Sequence, residues 1–399
     1  MRIRLNVSTF GEEEIEQAVE AMRSGFVTMG PRCEKFESAF AAYLGGGEAA
    51  FVNSGSSANL LAFFALANDA APKRPGKRKF FAGAEVIVPA VTWSTTIWPI
   101  IQSGLIPVLV DSDPRTLQMD VEAMKAAITR KTVAVCPVHV LGNTVAMDEL
   151  LAAAAEHELW VIEDTCEALG SRYRGTIAGT MGDIGTFSFF FSHHITTIEG
   201  GMVTTRDPEI AELMRCLRAH GWTRQLKRRG EIEARHPEID PAFLFVNTGF
   251  NVRPTEINAA FGLVQLGRLD GFNQRRKAIA ADWIGRLGAL IEDGTISPMQ
   301  PTPGADCAWF GFPMLCRNRE VRDALKRRLD ERGVEHRPII CGNMARQPAL
   351  ARLPHRIAGT LSGADAIMDR GLLWGAHPLM TDAEVDYVAR TALSVGTTV

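Results

Sequence analysis

Short apolar runs separated by helical stretches constrain this chain more than any other feature. The runs fall at 85–89, 106–110, 132–138, 159–162, 185–190 and 202–205. Each is bounded by turn signals, and helical stretches such as 120–128 and 147–157 lie between several of them. A strand that is apolar on both sides of its pleat needs cover on both faces, and intervening helices can supply it. The pattern predicts an α/β fold on a mostly parallel sheet. Helical periodicity over 12–22 should open the fold, and 51–60 reads as a strand end, a small-residue turn and the start of a helix running through Ala67.

At 399 residues the chain exceeds one typical core, which points to two domains. A long helix beginning near Thr255 leads into strand 310–315, helix 319–332 and strand 335–340. The expected division is a large domain over 1–270 and a smaller C-terminal α+β domain over 271–399. The charged, irregular stretch 225–241 reads as an excursion. A composition of 46% hydrophobic and 22% charged residues suits a soluble globular protein, and a net charge of −3 gives no reason to expect nucleic acid or an anionic membrane as partner. The basic run from Lys73 to Lys79 contains proline and glycine and reads as a solvated connector. There is no apolar run long enough to span a bilayer and no signal peptide at Met1-Arg2-Ile3-Arg4. Seven scattered cysteines without a Cys-x-x-Cys suit a reducing cytoplasm, and no His/Cys cluster has metal-ligand spacing.

Several residues carry chemistry that the fold alone would not require. Gly55, Ser56 and Ser57 stand at a helix start, where free N–H groups and the positive helix end favour an anion; an ordinary capped helix is the plainer alternative. Asp164 ends an apolar strand, where a carboxylate enters the crevice in which parallel α/β sheets bind ligands, or caps the next helix. Glu167 follows three residues on, as a catalytic group or a capping glutamate. Trp93, in a post-strand loop, could stack on a flat ligand or join the core. His193 could be a proton shuttle near neutral pH or a satisfied core histidine.

The stretch Ser192-His193-His194-Ile195-Thr196-Thr197-Ile198-Glu199-Gly200-Gly201 resembles the cofactor segment of sugar aminotransferases of the DegT/StrS type. The resemblance runs from about Thr28-Met29-Gly30 into the C-terminal unit. It implies an aspartate-aminotransferase-like fold, fold type I, around pyridoxal 5'-phosphate. In that family a lysine at the position of His193 both attaches the cofactor and moves protons; imidazole keeps only the second role. Ser54-Gly55-Ser56-Ser57-Ala58-Asn59 is similar to the family's phosphate turn, and Ser188 matches its second phosphate hydroxyl. Asp164 would hold the pyridine nitrogen protonated, Trp93 would clamp the ring, and Glu167 would orient the cofactor or act in catalysis. Asn251 and Arg253 match a motif that reaches the phosphate from a neighbouring subunit, which implies a homodimer with shared sites.

The resemblance narrows to the nucleotide-sugar 3-dehydratases on His193-His194, Ala219-His220-Gly221-Trp222-Thr223-Arg224, Trp309-Phe310-Gly311-Phe312 and Gly342-Asn343. It implies pyridoxamine 5'-phosphate as the working cofactor and a GDP-linked 4-keto-6-deoxymannose as substrate, in dideoxysugar assembly for lipopolysaccharide O-antigen. Catalysis would fall to His193, Glu167 and His220, and substrate contacts to Arg253, Arg337 and His220. Replacing C–OH by C–H needs two electrons. A CDP-sugar sub-branch takes them from an iron–sulfur cluster whose cysteines lie largely in the region corresponding to 216–249, where this chain has only Cys216. L-glutamate is therefore the expected electron source, with no iron–sulfur cluster. A sugar aminotransferase carrying a Lys→His change, a CDP-sugar 3-dehydratase and a regulator that has lost catalysis are the alternatives.

Overall fold

The computed structural model describes residues 2–395. Its principal sheet has eight strands. Ile106–Val110, Glu85–Pro89, Thr132–Val135, Trp160–Asp164 and Ile184–Ser188 lie side by side in that order, all parallel. They are buried along nearly their whole length, as unbroken apolar runs require. Gly201–Thr205 pairs antiparallel with Ile184–Ser188, and Glu48–Val52 pairs antiparallel with Gly201–Thr205. Arg356–Ile357 adds a parallel strand at the opposite edge.

Two strands stop short of the runs that foretold them, for the same reason. Strand pairing at 132–138 breaks after Val135, where Pro137 has no N–H to donate; the Pro137 carbonyl accepts from Asp164 N at 2.9 Å, and Val138 bridges to Asp164 beyond it. The run 335–340 keeps only His336–Arg337 before Pro338. The run 310–315 is displaced to Phe312–Cys316, because Trp309 takes a positive φ of 45° and Phe310 belongs to the turn.

A 31-residue helix, Glu256–Arg286, is capped by Thr255 and passes unbroken through position 270. Beyond it, Ile296–Pro298, Phe312–Cys316, Gly371–Trp374 and His336–Arg337 form an antiparallel sheet in that order. Helix Arg319–Glu331 packs beside it, and Asp382–Leu393 packs against that helix and against Glu256–Arg286. Trp283, Phe312 and Trp374 interlock there with ring centroids 5.2 to 5.8 Å apart. This apolar cluster is continuous with the interior of the principal sheet, joining Ile162 and Val88 to Phe312. The two units therefore share a helix and a core, and the edge strand Arg356–Ile357 belongs by sequence to the second and by pairing to the first.

Candidate active site

The carboxyl ends of the parallel strands open into a cleft of about 320 Å³. Gly55, Ser56, Trp93, Asp164, Glu167, Ser188, His193 and Arg337 all line it, from segments nearly three hundred positions apart. One wall is the start of helix Gly55–Ala67. Ser54 caps it, its hydroxyl accepting from Ser57 N at 3.1 Å, and the first-turn N–H groups have no acceptor within the helix. Gly55 permits a close approach: a Cβ there would sit 2.5 Å from Ser188 Cβ and 3.1 Å from Cys166 Sγ. The helix start and the hydroxyl of Ser188 thus form one concave donor surface, whose chemistry fits a phosphate. Ser57 lies behind it, donating to Asn53 Oδ1 at 2.6 Å.

Asp164 is 4% exposed. Its Oδ2 accepts from Thr96 Oγ1 at 2.8 Å and Asn59 Nδ2 at 2.9 Å, and its Oδ1 accepts from Cys166 N at 3.2 Å. All three donors are neutral, and among the described residues no cation pairs with it. A buried carboxylate at a cleft floor without a counter-charge suits a ligand that brings one, such as a protonated ring nitrogen. Trp93 stands 56% exposed above the cleft, with an indole face free to stack. Glu167 accepts from Leu141 N at 3.1 Å. Burial, opposed by that N–H and reinforced by Asp164, pushes its carboxyl up to about 7.

His193 occupies the opposite side, between Phe310 at 5.1 Å and Phe190 at 6.0 Å, both edge-on. Burial pulls its imidazole down to about 4, against smaller opposing pulls from the Ser188 backbone and Asp164. At neutral pH it is an unprotonated ring, able to accept a proton. The following Gly-Gly has a steric reason: a Cβ on Gly201 would lie 2.4 Å from the Ser54 carbonyl. No lysine lines the cleft among the described residues. Arg337 approaches from the C-terminal unit, exposed and, among the described residues, without an ion pair.

His220, Asn251 and Arg253 lie outside the cleft of their own chain. They form a group of their own: Ala219 bridges to Asn251, His220 N donates to Phe250 O at 2.7 Å, and Arg253 Nε donates to Asn251 Oδ1 at 3.0 Å. Asn59 and Phe310 entered the sequence reading only as members of motifs, and neither they nor Thr96 was assigned a part in the site. Thr96 had one available signal, its place three residues after Trp93 at a helix start. Among the described residues, no three His, Cys, Asp or Glu side chains could hold a metal, and no helix is long and apolar enough to cross a membrane.

Residues 8–392 match the DegT/DnrJ/EryC1/StrS aminotransferase family. A GDP-4-keto-6-deoxy-D-mannose 3-dehydratase from Yersinia pseudotuberculosis is 39% identical over 378 residues, covering 93% of each chain. A crystal structure of a GDP-4-keto-6-deoxymannose-3-dehydratase with a trapped PLP-glutamate geminal diamine superposes with a TM-score of 0.90 at 34% identity, covering 98% of this chain and 100% of that one. A histidine-to-asparagine mutant of such an enzyme, with bound GDP-perosamine, gives 0.88 at 34% identity over 98% and 100%. Agreement of that extent in sequence and in fold means that the chain belongs to the DegT/DnrJ/EryC1/StrS aminotransferase family.

Proposed function

We propose that this protein is a nucleotide-sugar 3-dehydratase that removes the C3 hydroxyl of GDP-4-keto-6-deoxy-D-mannose and yields the 4-keto-3,6-dideoxy sugar. The observation that carries the reading is a neutral imidazole, His193, in a cleft that no lysine among the described residues enters. The Yersinia relative is named for this activity, and the matching crystal structures hold glutamate and a GDP-sugar.

The residues present fit pyridoxal phosphate. The helix start at Gly55 and Ser56, with Ser188, would take the phosphate; Asp164 would face the ring nitrogen; Trp93 would cover the ring. Bound there as the pyridoxamine form, the cofactor supplies an amine for the sugar's keto carbon and a conjugated ring that can accept electrons. His193, unprotonated in its phenyl-lined niche, is placed to take a proton at the cleft. Glu167, with a carboxyl near neutrality, can hold or release a second proton. Arg337 offers an unpaired guanidinium for a sugar-nucleotide phosphate. Overall, sugar and L-glutamate give deoxysugar, 2-oxoglutarate and ammonia, so the two electrons come from the amino acid and no iron–sulfur cluster is needed.

The group of His220, Asn251 and Arg253, in which Asn251 is exposed and the other two are half-buried, supports a homodimer in which these residues serve the other subunit's cleft. The seven free cysteines suit a reducing cytoplasm. The test is turnover of a panel of GDP- and CDP-linked 4-keto-6-deoxy sugars with glutamate, followed by mass spectrometry. Loss of oxygen from the GDP sugar, with one ammonia and one 2-oxoglutarate per turnover, is expected. An amino sugar product would make the protein an aminotransferase, and dependence on a reduced electron carrier would place it with the CDP-sugar enzymes.

A further inference from the structure

Behind the cleft lies a buried cation that the chemistry above does not use. Arg276, on helix Glu256–Arg286, is 1% exposed, lines no part of the cleft and has no carboxylate partner among the described residues. Its Nη1 donates to the carbonyls of Phe310 at 3.0 Å, Ala376 at 3.1 Å and Trp309 at 3.4 Å. A buried guanidinium held by carbonyls alone keeps its charge in a medium that disfavours it. Packing alone would be served as well by an apolar side chain.

The backbone it grips is the turn that delivers Phe310. That turn is under constraint from both sides. Trp309 has φ 45° and Leu141, which faces it, has φ 54°. Phe310 N donates to Leu141 O at 3.1 Å, Leu141 N donates to Glu167, and a Cβ on Gly142 would sit 2.5 Å from Trp309 N. The Phe310 ring then meets His193 edge-on at 5.1 Å. His193 Nδ1 has no hydrogen-bond partner. The Ser188 backbone reaches the imidazole, and the rings of Phe310 and Phe190 flank it at 5.1 and 6.0 Å.

We propose that Arg276 is a positioning residue for His193: it pins the Trp309–Phe310 turn, and through Phe310 it holds the imidazole at its working angle. Its positive charge also opposes protonation of His193. The other charged and titratable groups around His193 are Asp164, Cys166, Glu167, Glu199 and Arg337 on the cleft walls and His194 beside it. The inference rests on the reading of His193 as the proton-moving group.

The test is titration of His193 by NMR on ring-labelled histidine, its resonance assigned by loss in His193→Asn, alongside steady-state kinetics. Arg276→Gln should lower kcat on the order of 10- to 100-fold with KM nearly unchanged, as expected for misplacement without loss of binding. It should also move the His193 titration to higher pH. Arg276→Lys keeps the charge and should leave that titration in place. Phe310→Leu should lower kcat with Arg276 intact, and it carries the test alone if the arginine variants do not fold. Arg276→Gln with wild-type kcat and an unmoved His193 titration would overturn the inference, as would Phe310→Leu with wild-type kcat. A His193 titration that moves while the acid limb of kcat stays fixed would uphold the link from Arg276 and overturn the reading of His193 as the base.

Discussion

His193 has the setting of a base and lacks that of a covalent anchor. Imidazole forms no stable Schiff base, and among the described residues no lysine lines the cleft to replace it. Borohydride should therefore fix no cofactor to the wild-type protein but should fix it to His193→Lys, read as a mass increment on an active-site peptide. His193→Asn should retain cofactor absorbance while ammonia release falls about 100- to 10,000-fold, the usual range for losing a general base. Near-normal release would move the base to Glu167 or His220. Glu167 makes a separate, pH-dependent prediction. Its folded carboxyl titrates near 7, above the ordinary range, because burial disfavours the charge. The folded state thus holds this proton more tightly than the unfolded state, and ionising it lowers stability progressively between the ordinary carboxylate value and about 7. In cofactor-free protein, the melting temperature of Glu167→Gln relative to wild type should rise between pH 5 and pH 8. A difference constant with pH would mean that Glu167 ionises as freely folded as unfolded. The sequence made these two residues legible because each stands in a short local frame, before Glu199-Gly200-Gly201 or after Asp164. It left the holders of Asp164 invisible: Asn59 and Thr96 lie 105 and 68 positions away, and no local pattern encodes a partner at that distance.

Whole elements were easier to read than their ends. Unbroken apolar runs identified the parallel strands, since burial on both faces leaves little room for polar alternation. Their ends depended on hydrogen-bond supply: Pro137 interrupted one ladder, and Pro338 closed another early. The same logic of close approach gives helix Gly55–Ala67 its place. Gly55 is wedged against Ser188, and the phosphate-fitting surface exists only because no side chain separates them. Gly55→Ala adds one carbon where the nearest neighbour would be 2.5 Å away, so the helix start must withdraw from the strand end. Overpacking of this kind costs about 1–3 kcal/mol. The expected result is a lower melting temperature and a weaker cofactor titration together. If affinity stayed at the wild-type level while stability fell, the phosphate would have to sit elsewhere in the cleft.

At the scale of the molecule, the single chain divides its candidate residues into two groups that do not meet. Those around Asp164 and His193 share one cleft; His220, Asn251 and Arg253 sit together outside it. If the second group completes the cleft of another copy, each active site takes His193 from one subunit and Arg253 from the other. A symmetric dimer then allows complementation. Suppose that His193→Asn and Arg253→Ala are each inactive alone. In a mixed dimer one site inherits both defects, and the other combines an intact His193 with an intact Arg253. Random remixing makes half the dimers mixed, with one working site in two, so activity should recover to about one quarter of wild type. If Arg253 served the cleft of its own chain, both sites of the mixed dimer would carry one defect and nothing would recover. Co-refolding or subunit exchange of the two variants, with ammonia release as the readout, decides between these arrangements.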